Sequence, residues 1–372
     1  MQSDPVALAR RLIRFPSLNP PGDERACALF VARHLAGLGF SVEAYEFAPG
    51  RPSLVARLDG TAGEPPLAFT GHLDVVPAGA AEWRFPPFDG TVTDGVLHGR
   101  GACDMKSGIA AFITAAARLR ARAATFRRGL TFVITAGEET GCEGAFDLAR
   151  RGVLGAAALL IVAEPTALRP VIAHKGSLRV AVAARGRTAH SSMPEEGDNA
   201  VVKAAEWIAR LAAHRFPRTH PLLGRTTAVT TTVAGGQNIN SVPDLASFTV
   251  DLRTLPDDDH AGLIATLRGL FGPEAAIDVV TDFKGFATEP DDPALAPLLD
   301  TLAERAGCAA TPAGAPYFTD ASALVPGFAG APAVVIGPGE PAQCHRTDEH
   351  CCVRQIEEAT AIYEEVMRRM CV

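Results

Sequence analysis

The sequence has no sustained cluster of lysine or arginine, and its 35 basic against 42 acidic residues leave a formal charge of −7. That balance offers no electrostatic footprint for a phosphate backbone, so no nucleic-acid partner is expected. Eight cysteines lie at positions 27, 103, 142, 308, 344, 351, 352 and 371, with no spaced Cys-x-x-Cys pair of the kind that builds zinc ribbons or dithiol redox centres. No apolar run approaches membrane-spanning length. The opening MQSDPVALARRLIRF lacks the basic start and unbroken apolar core of a signal peptide, so no membrane partner and a cytoplasmic location are expected. Low-complexity segments and short-period repeats are also missing. The 35 glycines and 28 prolines are scattered as punctuation between short elements.

What is present is an alternating pattern. Asp4-Pro5 pairs a capping carboxylate with a first-turn proline and predicts a helix over VALARRLIRF. A second helix runs through ALFVARHLAGLG. Apolar strands are predicted at SVEAYEF, SLVARL, PLAFT, LTFVITA and ALLIVA, with helices at MKSGIAAFITAAARLRA and around GAFDLARRG. Strands alternating with helices imply an α/β layer around a central, mostly parallel sheet flanked by helices. From Gly176 the order becomes βαββαβ, the ferredoxin-like plan and a complete small domain in itself. At 372 residues, two unequal domains are the natural expectation. The reading is a catalytic domain formed by 1–175 and 284–372, interrupted by an inserted domain over 176–283.

Chemistry-bearing residues fall at one edge of this plan. His72 and Asp74 follow PLAFT, Glu138 and Glu139 follow LTFVITA, Glu164 follows ALLIVA, and His345 lies beyond AVVIGPG. Open α/β sheets place ligand sites just past the carboxyl ends of their strands. Asp104 joins them at the start of a long helix. Taken singly each signal is weak, since a lone histidine after a strand is more often a hydrogen-bonded structural residue. Together they form the imidazole and carboxylate mixture that suits zinc. Cys103 and Cys344 adjoin these residues, but the oxygen and nitrogen donors already complete a set. GRGACDMKSG lacks the Gly-Lys-Ser/Thr ending of a phosphate loop. Ser191 and Ser192 beside His190 form no nucleophile elbow, which argues against a serine hydrolase.

The segments GHLDVVPAG, GRGACDMKSG, TAGEETGCEGA, AEPT, GRTAHSSMPEEGDNAV and CHRTDEH, in that order, resemble the successive signatures of the acetylornithine deacetylase, succinyl-diaminopimelate desuccinylase, carboxypeptidase G and aminoacylase family. The resemblance covers essentially the whole chain. It implies two divalent ions, most naturally zinc with cobalt or manganese as alternatives. His72 and Glu164 would hold one, Glu139 and His345 the other, with Asp104 between them. Asp74 would orient His72 through its second ring nitrogen. Glu138, left outside the ligand set, would carry protons between the attacking water and the leaving nitrogen. His190 would donate to the developing oxyanion from the inserted domain. Asn240 and Arg253 resemble substrate-binding positions, the arginine suiting the carboxylate of an N-acyl amino acid.

The resemblance further implies a cis peptide at Asp104–Met105 and a homodimer through an inserted domain that serves as lid and dimerisation surface. HKG after AEPT and the CHRTDEH ending favour acetylornithine deacetylase-like members. YFTDASAL departs from the glycine-rich segment of desuccinylases. Desuccinylase, carboxypeptidase, dipeptidase and aminoacylase activities stay open, as does a non-catalytic metal-binding protein that keeps the fold. Retention of Glu138 counts against that last reading.

Overall fold

A computed structural model describes residues 4–122 and 125–372. The chain forms two compact units. The first comprises residues through Ile172 with Ala287–Ala313 and Thr319–Val372, and the second Ala173–Phe286 with Gly314–Phe318.

In the first unit the strands Leu67–His72, Leu130–Thr135, Leu159–Val162 and Ala333–Val335 are fully buried along their length. They are near-continuous apolar runs, as strands covered on both faces require. Leu67–His72 pairs in parallel with Leu130–Thr135 on one side and Leu159–Val162 on the other, and Ala333–Val335 extends the parallel set. The flanks run the other way. Ser41–Ala48 and Arg51–Leu58 form an antiparallel hairpin that joins Leu130–Thr135 antiparallel, and Val171–His174 meets Ala333–Val335 antiparallel. The sheet is therefore mixed, parallel at its centre, where the sequence suggested a mostly parallel one. The reason is local. Only Pro49 and Gly50, the latter at φ 84°, separate the first two strands, too short a link for the helical crossover that parallel neighbours need.

Asp4 caps the first helix, Pro5–Ile13, accepting from the backbone N–H groups of Val6 and Ala7 at 2.9 and 3.0 Å. The long helices Lys106–Arg122 and Val353–Cys371 pack on each other and on the sheet, where Phe69 meets Phe112 and Tyr363 with ring centroids 5.6 and 5.3 Å apart. Gly108 lets the first of these come close to a strand end. A Cβ there would lie 2.1 Å from the Ala163 carbonyl oxygen.

The second unit follows the order Gly176–Arg185, Ala200–Ala213, Thr227–Gly235, Leu245–Thr254, His260–Phe271, Ala276–Phe283. Its antiparallel sheet runs spatially from Thr227–Gly235 through Leu245–Thr254 and Gly176–Arg185 to Ala276–Phe283, the ferredoxin-like arrangement. Alternate residues Leu178, Val180, Val182 and Phe248, Val250, Leu252 turn one face toward Trp207, Leu211, Leu267 and Phe271. The outer strand Thr227–Gly235 keeps Val229 and Val233 exposed, at 58% and 67% of full accessibility. Among the described residues no helix is long and apolar enough to cross a membrane.

Candidate metal centre

The parallel strands deliver their polar residues to one edge of the first unit. His72 ends its strand, Glu138 and Glu139 follow Leu130–Thr135, and Glu164 follows Leu159–Val162. Asp104 lies just before the helix Lys106–Arg122, and its peptide bond to Met105 is cis. His345 follows the short turn Pro341–Gln343 with a backbone φ of 62°, a left-handed conformation uncommon for a residue with a side chain.

The side chains converge into two adjoining groups. His72 Nε2 lies 3.0 Å from Asp104 Oδ1 and 3.5 Å from Glu164 Oε1. His345 Nε2 lies 3.4 Å from Asp104 Oδ2 and 3.0 Å from Glu139 Oε2. Asp104 thus turns one oxygen to each group. In each trio, Asp104 with His72 and Glu164 or with Glu139 and His345, the donor atoms all lie within 4.8 Å of one another.

Electrostatics make this a place that seeks positive charge. Burial disfavours ionising Asp104, yet hydrogen bonds from His345 and His72 prevail and hold its carboxyl well below the usual range. Burial would depress the His72 imidazole, but Glu164, Asp104 and Asp74 hold it well above its ordinary value. Hydrogen bonds to Asp104 and Glu139 push His345 up to about 10. Burial, with Asp104 nearby, pushes both Glu164 and Glu139 up. The buried Oε1 of Glu139 has no hydrogen-bond partner. Such a donor set, two imidazoles and three carboxylates with one buried oxygen left unpaired, fits two divalent ions.

A second layer fixes these side chains. His72 Nδ1 lies 2.9 Å from the carbonyl oxygen of Asp74 and 3.6 Å from its carboxylate Oδ1, so the nearer contact is to the main chain. The carboxylate is otherwise engaged. It accepts from the backbone N–H groups of Gly137, Glu138 and Glu139 at 3.0, 3.2 and 3.1 Å, and from Asn19 Nδ2 at 2.8 Å. Asn19 also donates to Thr140. Glu349 does for Asp104 what Asp74 does for the Glu138–Glu139 turn. Its fully buried carboxylate accepts from the N–H groups of Gly101, Cys103 and Asp104 at 3.1, 2.8 and 3.0 Å, and from Arg100 at 2.6 Å.

Glu138 belongs to neither ligand trio. Its carboxyl lies near Cys142 and Asp320, and burial holds it well above the usual carboxylate range. Cys103 donates to the Glu340 carbonyl at 3.3 Å.

His190, Asn240 and Arg253 lie in the second unit. His190 and Asn240 are brought together: His190 forms a bridge with Ser241, the Asn240 carbonyl accepts from Ser191 N–H at 3.0 Å, and His190 Nδ1 lies 2.8 Å from Ser192 Oγ. Arg253 stands at the other end of its strand, opposite Ser177. Its guanidinium is paired with Asp251 at 3.0 Å and stacks 5.5 Å from the Phe318 ring centroid.

Sequence reasoning assigned no role to Asn19, Glu349 or Asp320. Glu349 and Asp320 fall inside recognised segments, CHRTDEH and YFTDASAL, and their position there was the available signal. Asn19 had none beyond standing before Pro20-Pro21.

Known proteins resemble this chain along most of its length. A model of the peptidase family M20/M25/M40 matches residues 68–369. A succinyl-diaminopimelate desuccinylase of Cereibacter sphaeroides is 33% identical, covering 99% of both chains. Among solved structures, an aminopeptidase PepT from Bacillus cereus superposes with a TM-score of 0.80 at 24% identity, covering 98% of this chain and 99% of that one. The Bacillus subtilis YXEP protein, a dinuclear metal binding peptidase from the M20 family, gives a TM-score of 0.73 at 17% identity over 98% of this chain and 96% of that one. The chain therefore belongs to peptidase family M20/M25/M40 and is a metallohydrolase acting on amide bonds.

Proposed function

We propose that this protein is a two-metal deacylase of N-acyl amino acids, with zinc the natural metal and cobalt or manganese able to replace it. One observation carries the reading: Asp104 turns its two oxygens to separate imidazole and carboxylate pairs, while Glu138, in the same turn as Glu139, belongs to neither. His72 and Glu164 would hold one ion, Glu139 and His345 the other, and Asp104 both. When bound, such a pair polarises an amide carbonyl and lowers the pKa of water.

The remaining work falls to the protein. Glu138, held in its turn by the Asp74 carboxylate, takes the proton from the attacking water and returns it to the leaving nitrogen. Its burial favours this, because a carboxyl with a raised pKa retains a proton until the leaving group needs it. His190 supplies a hydrogen bond to the developing oxyanion. Asn240 binds the substrate, and Arg253 grips its carboxylate, exchanging Asp251 for the ligand. We further propose a cytoplasmic location and a homodimer, the latter supported by the exposed Val229 and Val233 on an open sheet edge of the second unit.

The names of the curated relatives make N-succinyl diamino acids the first substrates to try. The sequence YFTDASAL, in place of a glycine-rich segment, favours a second reading in which the acyl group is acetyl. The test is a panel of N-succinyl, N-acetyl and dipeptide substrates offered to chelated protein with and without added zinc or cobalt. Metal-dependent cleavage of an N-acyl amino acid supports the proposal. Turnover confined to unblocked dipeptides would replace it with a peptidase.

A further inference from the structure

Cys142 occupies a position that glycine would fill more easily. Its φ and ψ are 55° and 32°, in the left-handed region where a Cβ is crowded. It stands at the cap of the helix Glu143–Arg151, yet its side chain makes no capping bond. The thiol is instead fully buried, 3.8 Å from Glu138 Oε1.

Asp320 repeats this pattern from another element. It stands at the cap of the helix Ala321–Gly327 and makes no capping bond either. Its backbone is helical, and the Thr319 hydroxyl oxygen accepts from Ala321 N–H at 3.2 Å, so the Asp320 side chain turns inward. The side chain is buried, with Oδ2 accepting from the Thr135 hydroxyl and Oδ1 left without a regular hydrogen bond. The Cys142 thiol donates to Glu138, and polar atoms of Glu138, Cys142 and Asp320 all lie within 4.8 Å of one another. Two cap residues that cap nothing, one of them with a left-handed backbone, thus converge on one carboxyl. Unsatisfied buried oxygens and strained backbone persist mainly where function uses them.

We infer that Cys142 and Asp320 are positioning residues for Glu138: the buried thiol donates its hydrogen to Glu138 Oε1, and the Asp320 carboxyl, held by Thr135, closes the space beside both, so that the direction of the Glu138 side chain is fixed. A thiol has one proton to give. This inference rests on the reading of Glu138 as the proton carrier.

The test compares kcat, KM, metal content and thermal midpoint for Cys142→Gly, Cys142→Ser, Asp320→Asn and Glu138→Gln. Glycine suits the left-handed backbone, so Cys142→Gly removes the thiol without demanding a new chain path. Expected for Cys142→Gly and Asp320→Asn is a kcat lower by about 10- to 100-fold, the usual scale for groups that orient a reacting side chain, with KM and metal content unchanged. Cys142→Ser, which keeps one donor, should recover most of the loss. The inference is overturned if Cys142→Gly and Asp320→Asn both turn over at the wild-type rate while Glu138→Gln is inactive. It is equally overturned if serine is no better than glycine, or if the variants lose metal or unfold, since either result makes the pair structural. Full turnover by Glu138→Gln would instead remove the reading of Glu138 on which the inference rests.

Discussion

At the scale of single residues, adjacent side chains of the same type are given different work by what surrounds them. Glu138 and Glu139 share one turn and both hang from the Asp74 carboxylate, yet Glu139 faces His345 and Asp104 while Glu138 faces Cys142 and Asp320. Glu138→Gln is therefore expected to keep two metal ions and lose about 10²–10⁴-fold in kcat, the range for a positioned acid–base group. Glu139→Gln should weaken one ion instead. Metal analysis beside kinetics checks both, and loss of metal from both variants would refute the division.

Asp320 carries a cost that can be read in pH. Burial, with Asp74 nearby, raises its carboxyl to about 6 against hydrogen bonds from Thr135 and Cys142 and the charge of His72. A carboxyl whose folded value is raised stabilises the fold fully below its unfolded value, and that contribution is lost as pH rises through the folded value. In chelated protein, Asp320→Asn should therefore gain in thermal midpoint relative to wild type between about pH 4 and pH 7. Parallel melting curves across that window would show that the carboxyl titrates as in the unfolded chain. Among the candidate ligands, His72, Glu139 and Glu164 stood out in the sequence because they fall at or just past strand ends, while Asp104 and His345 stood out through the segments GRGACDMKSG and CHRTDEH. Asn19 was not, because its partners Asp74 and Thr140 lie 55 and 121 residues away and nothing local marks the contact.

Among elements, the centre of the first unit's sheet was readable because strands covered on both faces must be apolar throughout. The antiparallel flank was not, since one hairpin and one parallel strand can share the same apolar pattern, and the two-residue turn at Pro49-Gly50 decides between them. The helix Lys106–Arg122 matters to the centre through its first turn, which follows Asp104. Gly108 sits where a Cβ would lie 2.1 Å from the Ala163 carbonyl oxygen, one residue before Glu164. Gly108→Ala is expected to separate that helix from that strand end, destabilising the protein by about 1–3 kcal/mol as an overpacked contact and weakening metal retention together with stability. Chemical denaturation and metal content measure the two losses, and an unchanged variant would mean that the contact relaxes freely.

For the whole molecule, the alternation of helix and strand and the change of pattern at Gly176 made two units legible, but not how the segment Gly314–Phe318 joins the second of them, because five residues carry no periodicity. Assembly is tested by mixing inactive His190→Ala with inactive Glu138→Ala under conditions of subunit exchange. If His190 acts on a partner's centre, activity should return to about a quarter of wild type, since random mixing puts one intact centre of two into half the dimers. No recovery after proven exchange would confine His190 to its own chain.

The central claim is that two cations shared by Asp104 make this protein a hydrolase. Its most direct test is to titrate zinc into chelated protein while following bound metal and hydrolysis of an N-acyl amino acid together. The account predicts no turnover without metal, two ions bound per chain at saturation, and weaker binding as pH falls, because protons, favoured on His72, His345, Glu139 and Glu164 by their raised pKa values, compete with the ions. Full activity in metal-free protein would contradict it.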